Sequence, residues 1–117
     1  MIFIHSIDYE MPGESIGTQF VAREADELIG MCTVVLYFDE TVPQLQRLFV
    51  KRECRHHGIA DRLMTAAEDL CRANEWACMD LDVHPSNGSV GRYYVARGYE
   101  PWGRTDAGGL RLRKQIS

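Results

Sequence analysis

No stretch of the 117 residues stays apolar for the roughly 20 positions that a helix needs to cross a bilayer, so no membrane partner is expected. There is no internal repeat, no low-complexity tract and no linker-like segment, which leaves out solenoids and disordered arrays. The opening MIFIHSIDYE is apolar for only a few residues. It lacks a basic start and a small-residue cleavage site, so a cytoplasmic protein without a signal peptide is expected. The four cysteines, at 32, 54, 71 and 78, include no C-x-x-C pair and read as free thiols of a reducing compartment. Cys54, His56 and His57 lie close together, but a structural zinc site needs four ligands and no second cluster exists, so no metal is expected. The Gly-Lys-Ser/Thr of a Walker A loop is missing, as are two of the three glycines of a dinucleotide fingerprint. No dense Lys/Arg stripe with interleaved aromatics occurs, so nucleic acid is not an expected partner.

What is present fits one globular domain over residues 1–117, with 45% hydrophobic and 26% charged residues. The net charge of −4 is unevenly spread. Residues 1–46 carry eight acids and one base, Arg23, giving −7; residues 47–117 carry twelve bases and nine acids, giving +3. Such a chain can meet ligands of opposite sign in its two parts, unless the acids are only solvated turn residues.

The first half reads as strands. FIHSI is a short strand, YEMPGESIG a loop, TQFVARE a strand, ADELIG a connection, and MCTVVLYF and QLQRLFV two strands around the turn DETVP. Residues 58–76 differ: Ile59, Ala60, Leu63, Met64, Ala67, Leu70 and Cys71 recur at helical spacing, predicting an amphipathic helix. ACMDLDV follows as a strand, SVGRYYVARG as a short helix closed by Gly98, and YEPWGR and LRLRKQ as final strands. The strand–helix–strand unit implies a right-handed crossover between parallel neighbours. The fold class is α/β (α+β): a mixed, mostly antiparallel sheet of six to seven strands with one long and one short helix.

The stretch RHHGIA, from Arg55 to Ala60, joins a strand to the long helix. The first amides of a helix lack internal partners and carry the positive end of its dipole, so a turn that gathers them makes an anion nest. Gly58 permits close approach of a phosphate, Ala60 is small, and Lys51, Arg52, Arg55, His56 and His57 stand nearby. The chemistry reads as a diphosphate site. On these residues alone an ordinary helix entry with a tolerated glycine is the more common case.

Two motifs in order carry a resemblance. Arg55-x-x-Gly58-x-Ala60 lies in LFVKRECRHHGIADRLMTAAEDLC, and Asn87, Tyr94, Gly98 and Tyr99 lie in DVHPSNGSVGRYYVARGYEP. In these the chain resembles the acetyl-CoA-binding segment of the GNAT family of N-acetyltransferases, over about residues 18 to 115. His56 departs from the glycine common at its position. The resemblance implies a GNAT-like acyl-CoA N-acyltransferase fold and acetyl-CoA as acyl donor. It implies that Phe49 and Val50 pair their amides with the pantetheine arm, and that residues 56–60, Ile59 included, bind the pyrophosphate. Asn87 would contact the arm, with a plain turn residue as the alternative, and Tyr94 would serve the departing thiolate as general acid. A base for the acceptor amine is not marked. Asp82 and His84 are candidates, His84 with the better unperturbed pKa of about 6.5, though a solvent-facing histidine before Pro85 is the plainer reading.

Only 17 residues precede TQFVARE, where the family places one or two helices. At least one of those helices is expected to be missing, leaving the acceptor pocket open or completed by a second subunit in a homodimer. Two functions follow: an N-acetyltransferase acting on a small-molecule or protein amine, or an acyl-CoA-binding module that senses or joins a complex without turnover.

Overall fold

The computed structural model describes residues 1–116. Strands β1 (Ile2–Met11), β2 (Ser15–Glu24), β3 (Glu27–Tyr37) and β4 (Gln44–Val50) come first. A 3-10 turn at Arg52–Cys54 leads to helix α1 (Ile59–Ala73), followed by β5 (Cys78–Val83), α2 (Gly88–Ala96), β6 (Glu100–Arg104) and β7 (Leu110–Gln115). The seven strands form one sheet in the order β1-β2-β3-β4-β5-β7-β6. Every pairing is antiparallel except β4 with β5, the pair joined through α1. A mixed sheet with one long and one short helix was expected, and it is what forms.

The element boundaries differ from the expected ones at three turns. β1 runs to Met11 rather than ending at Ile7, because the turn to β2 needs only residues 12–14, closed by the Glu14 N–H donating to the Met11 carbonyl at 2.9 Å. No helix lies between β1 and β2. The expected connection at 25–30 shrinks to Ala25 and Asp26, at φ 51° and 69°, which matches a tight hairpin turn despite its unusual residues. Helix α1 stops at Ala73, short of 76. Glu75 takes φ 58° and the Trp76 N–H donates to the Cys71 carbonyl at 2.9 Å, a left-handed helix stop with no glycine to announce it.

The apolar stripe of α1 (Ile59, Leu63, Met64, Ala67 and Cys71) packs on the sheet face formed by Phe20, Ala22, Cys32, Val34, Leu45, Met79, Leu81 and Leu112. Gly30 lets the helix approach: a Cβ there would lie 3.0 Å from the Phe49 carbonyl oxygen and 3.2 Å from both Ile59 and Leu63 side chains. This contact sets α1, and therefore its N-terminus, beside the end of β4.

Cys32 and Cys71 are fully buried. Burial raises both thiols from 9.0 to about 12. Their contribution to stability is therefore complete below pH 9 and is lost as pH rises toward 12, because the unfolded chain ionises first. Each thiol should steepen the loss by up to about 1.4 kcal/mol per pH unit in that window. Urea unfolding should show falling stability from pH 9 upward, with a shallower fall in a Cys32→Ala/Cys71→Ala variant. Equal slopes for the two proteins would count against it.

Candidate active site

Parallel strands β4 and β5 pair only at Gln44–Asp80 and Leu45–Leu81. Past that point they separate. The cause lies in β4: Thr33 pairs with Gln46 and Met31 with Phe49, so two steps along β3 match three along β4. The extra residue is a β-bulge, with Arg47 at φ 58°. The gap between the strands is a cavity of about 250 Å³ lined by Gln44, Gln46, Arg47, Leu48, Asp82 and Tyr94, among others.

The bulge also decides which main-chain groups face the gap. The Lys51 N–H donates to the Ile29 carbonyl at 2.7 Å, and Phe49 stands opposite Met31. In an antiparallel ladder alternate residues bond to the same neighbour, so the Phe49 N–H faces β3. Planar trans peptides then turn the Leu48 carbonyl and both main-chain groups of Val50 toward the gap. Of the two residues expected to offer amides, Val50 turns its N–H toward the gap, whereas Phe49 turns its N–H toward β3 and presents a half-exposed side chain. Leu48 was not singled out from sequence, because ladder parity depends on the bulge.

At the gap's end, Gly58 precedes α1 in a left-handed conformation (φ 76°, ψ 10°), and His56 also has a positive φ of 66°. The Gly58 carbonyl accepts the first helical bond, from the Arg62 N–H at 3.1 Å. The N–H groups of residues 56–60 donate to no other group among the described residues, and Gly58 brings no capping side chain. A Cβ on Gly58 would meet nothing within 4 Å. The result is a set of open amides at the positive end of a 15-residue helix, suited to a phosphate. Arg55 bends back so that its Nε donates to the Val50 carbonyl at 3.2 Å, tying the turn to the end of β4. His56 and His57 are exposed on the turn. Lys51 is paired with Glu27.

Tyr94 is buried on α2 and closes the cavity from the helix side. Its ring makes edge contacts with Tyr93 at 5.5 Å and Tyr99 at 5.8 Å. Both neighbours are anchored on α1. The Tyr93 hydroxyl donates to Asp61 at 2.7 Å and the Tyr99 hydroxyl to the buried Glu68 at 2.9 Å. Arg97 bridges the same two carboxylates, at 3.1 Å each, and Lys114 donates to Glu68 at 3.2 Å. Glu68 is thus a buried carboxylate that two cations and a phenol satisfy, and it locks α2 onto α1. The Tyr94 hydroxyl forms no hydrogen bond among the described residues. Burial, and then the neighbouring Cys32, push its pKa up to about 12.

The remaining candidates fall in different places. Asp82 lines the cavity but holds Arg111 in a two-pronged pair at 2.8 and 3.1 Å. His84 does not line the cavity. It borders a separate apolar hollow of about 720 Å³ between α2 and β7, and its Nδ1 accepts from the Ser86 N–H at 3.2 Å, which leaves the proton on Nε2 in the neutral ring. Asn87 is the residue before α2, exposed, with no capping bond from its side chain. Among the described residues no three His, Cys, Asp or Glu side chains gather as metal ligands. Asp80, behind the cavity, is held by Arg113 at 2.5 and 2.9 Å, and that guanidinium lies 4.1 Å over the Trp102 ring. The acids of the first half are dispersed: Asp8 accepts from Thr18, Glu27 pairs with Lys51, and Glu24 lies near the N-terminal amine. Glu40 stands at the base of the gap, accepting from Gln44 at 3.4 Å and acting on Arg111 through its charge.

A sheet split between two parallel strands, with open helix-start amides at one end and a phenol at its floor, defines an acyl-CoA-binding class of fold. The GNAT acetyltransferase family model matches residues 4–99, and the chain belongs to that family. No curated protein matches it in sequence. Solved structures share the fold. A Klebsiella pneumoniae protein aligns with a TM-score of 0.83 at 16% identity, over 100% of this chain and 99% of its own. A GNAT family acetyltransferase of Elizabethkingia anophelis with acetyl-CoA bound aligns at 0.77 and 12%, covering 97% of each chain. The PaiA N-acetyltransferase of Thermoplasma acidophilum, in complex with coenzyme A, aligns at 0.73 and 24%, over 83% of this chain and 59% of its own.

Proposed function

We propose that the protein moves an acetyl group from acetyl-CoA to a primary amine by direct transfer. The observation that carries this is the split between β4 and β5, with Tyr94 at its floor and the amides of 56–60 at its end. The pyrophosphate binds those amides, and the pantetheine arm lies along β4 as an added strand on the Val50 N–H and the Leu48 carbonyl. Asn87 meets the arm from the start of α2. The acceptor ammonium first loses a proton to water; the neutral amine then attacks the thioester carbonyl, the C–S bond breaks, and Tyr94 donates a hydrogen bond to the departing thiolate. The proton of the new amide's nitrogen leaves through water or through Asp82, which Arg111 holds in a two-pronged pair.

The acceptor is a cationic amine, a small molecule or an amine on a protein, drawn to the open face by Glu40. Attraction between exposed charges is screened beyond about 8 Å at physiological salt. Acetyl transfer across a panel of amines should therefore be fastest with a cationic one. Its kcat/KM should fall as salt rises, less steeply in Glu40→Lys. A neutral or acidic acceptor performing best, or no salt effect, would remove the charge argument.

A second reading, a CoA-binding module without turnover, draws on the three-residue turn between β1 and β2, which leaves the acceptor face without a helical wall. Tight CoA binding with no transfer to any amine of the panel would favour it.

A further inference from the structure

We infer that β1 is where two copies of this chain join, edge to edge and antiparallel, making one continuous sheet. This stands apart from the acetyl-transfer reading. β1 is an outer strand of ten residues, paired only with β2 and without a bulge or proline. Of the features that ordinarily blunt such an edge, β1 has no lysine, proline or bulge, and its charges are confined to Asp8 and Glu10 near one end. Phe3, Ile7, Tyr9 and Met11 line its face away from the helices and remain 37 to 60% exposed.

The free edge has a definite polarity. The Met11 carbonyl accepts from Glu14 within the hairpin turn, and Met11 stands opposite Ser15. By alternation the odd-numbered residues of β1 bond to β2, and the main-chain groups of Ile2, Ile4, Ser6, Asp8 and Glu10 point outward. The Ile2 carbonyl agrees: Arg62 of α1 reaches it at 3.2 Å.

That edge fits itself. A twofold axis at Ser6 sets Ile4 opposite Asp8 and Ile2 opposite Glu10, so no acid meets an acid. On the other face Phe3 stands opposite Tyr9, an aromatic cross-strand pair repeated on both sides of the axis. Arg62, already at Ile2, then stands beside Glu10 of the second copy, an ion pair made twice by the symmetry. The gap between β4 and β5 lies away from this edge, so the pairing leaves both sites open rather than completing them.

Sedimentation equilibrium of the full chain over about 1 to 100 µM should give twice the 13.4 kDa chain mass, with the dimer fraction rising by mass action. Ser6→Pro removes an N–H that faces the free edge and none that bonds to β2, so the folded protein should become monomeric. Arg62→Glu should weaken the dimer, and adding Glu10→Arg should restore it, which keeps the test valid if the proline variant fails to fold. A chain monomeric throughout the range overturns the inference. So does a dimer that neither Ser6→Pro nor the charge reversal moves, since its interface then lies elsewhere.

Discussion

Tyr94→Phe is expected to lower kcat by roughly 10- to 1,000-fold, the range around a lost proton donor, with CoA affinity nearly unchanged. The ring contacts to Tyr93 and Tyr99 survive the change, and the hydroxyl has no protein partner among the described residues to abandon. The fold should therefore keep its thermal midpoint. The pH dependence is more telling. A phenol raised to about 12 stays protonated through the assay range. The ratio of wild-type to variant kcat should then be flat from about pH 7 to 10, whereas a phenol at the ordinary value of about 10 would lose its advantage toward the top. A thiolate whose conjugate acid lies near about 8.5 cannot take that proton outright, so the contribution is a hydrogen bond to developing charge. Equal turnover of the two proteins, where chemistry limits the rate, would assign Tyr94 to packing.

Gly58→Val should weaken CoA binding by at least about tenfold, and Arg55→Ala by no more than a few-fold. At φ 76° a β-branched residue is strained by roughly 1–2 kcal/mol, and relaxing that strain turns the amides of 56–60 away from a common point. The space around the absent Cβ is empty of protein, so a valine there clashes only with what binds. Arg55 offers an exposed charge and one bond to the Val50 carbonyl, together worth about 1 kcal/mol. Calorimetry with CoA separates the two, and a thermal melt of each variant checks that the fold persists. Equal or inverted losses would mean that charge rather than the backbone holds the phosphates.

The residues by themselves determined the order of elements, the amphipathic face of α1, the glycine turn before it, and the place of Tyr94 on a short helix. Each is written locally: apolar residues at helical spacing, a glycine at a strand–helix junction, a tyrosine four residues before a helix-closing glycine. The turns at Ala25–Asp26 and Glu75 were not legible, because left-handed backbone there is imposed on residues that do not advertise it. Tertiary structure alone decided the rest. Arg47 bulges because β4 must match β3 on one side while leaving β5 on the other, and that bulge assigns the open amide to Val50 and not to Phe49. Asp61 and Glu68 look like solvated charges on a helix, yet they hold Arg97, Tyr93 and Tyr99 and so fix the helix that carries Tyr94. Ladder parity and ion-pair closure join residues tens of positions apart, and no local pattern records which partner a strand edge or a carboxylate will find.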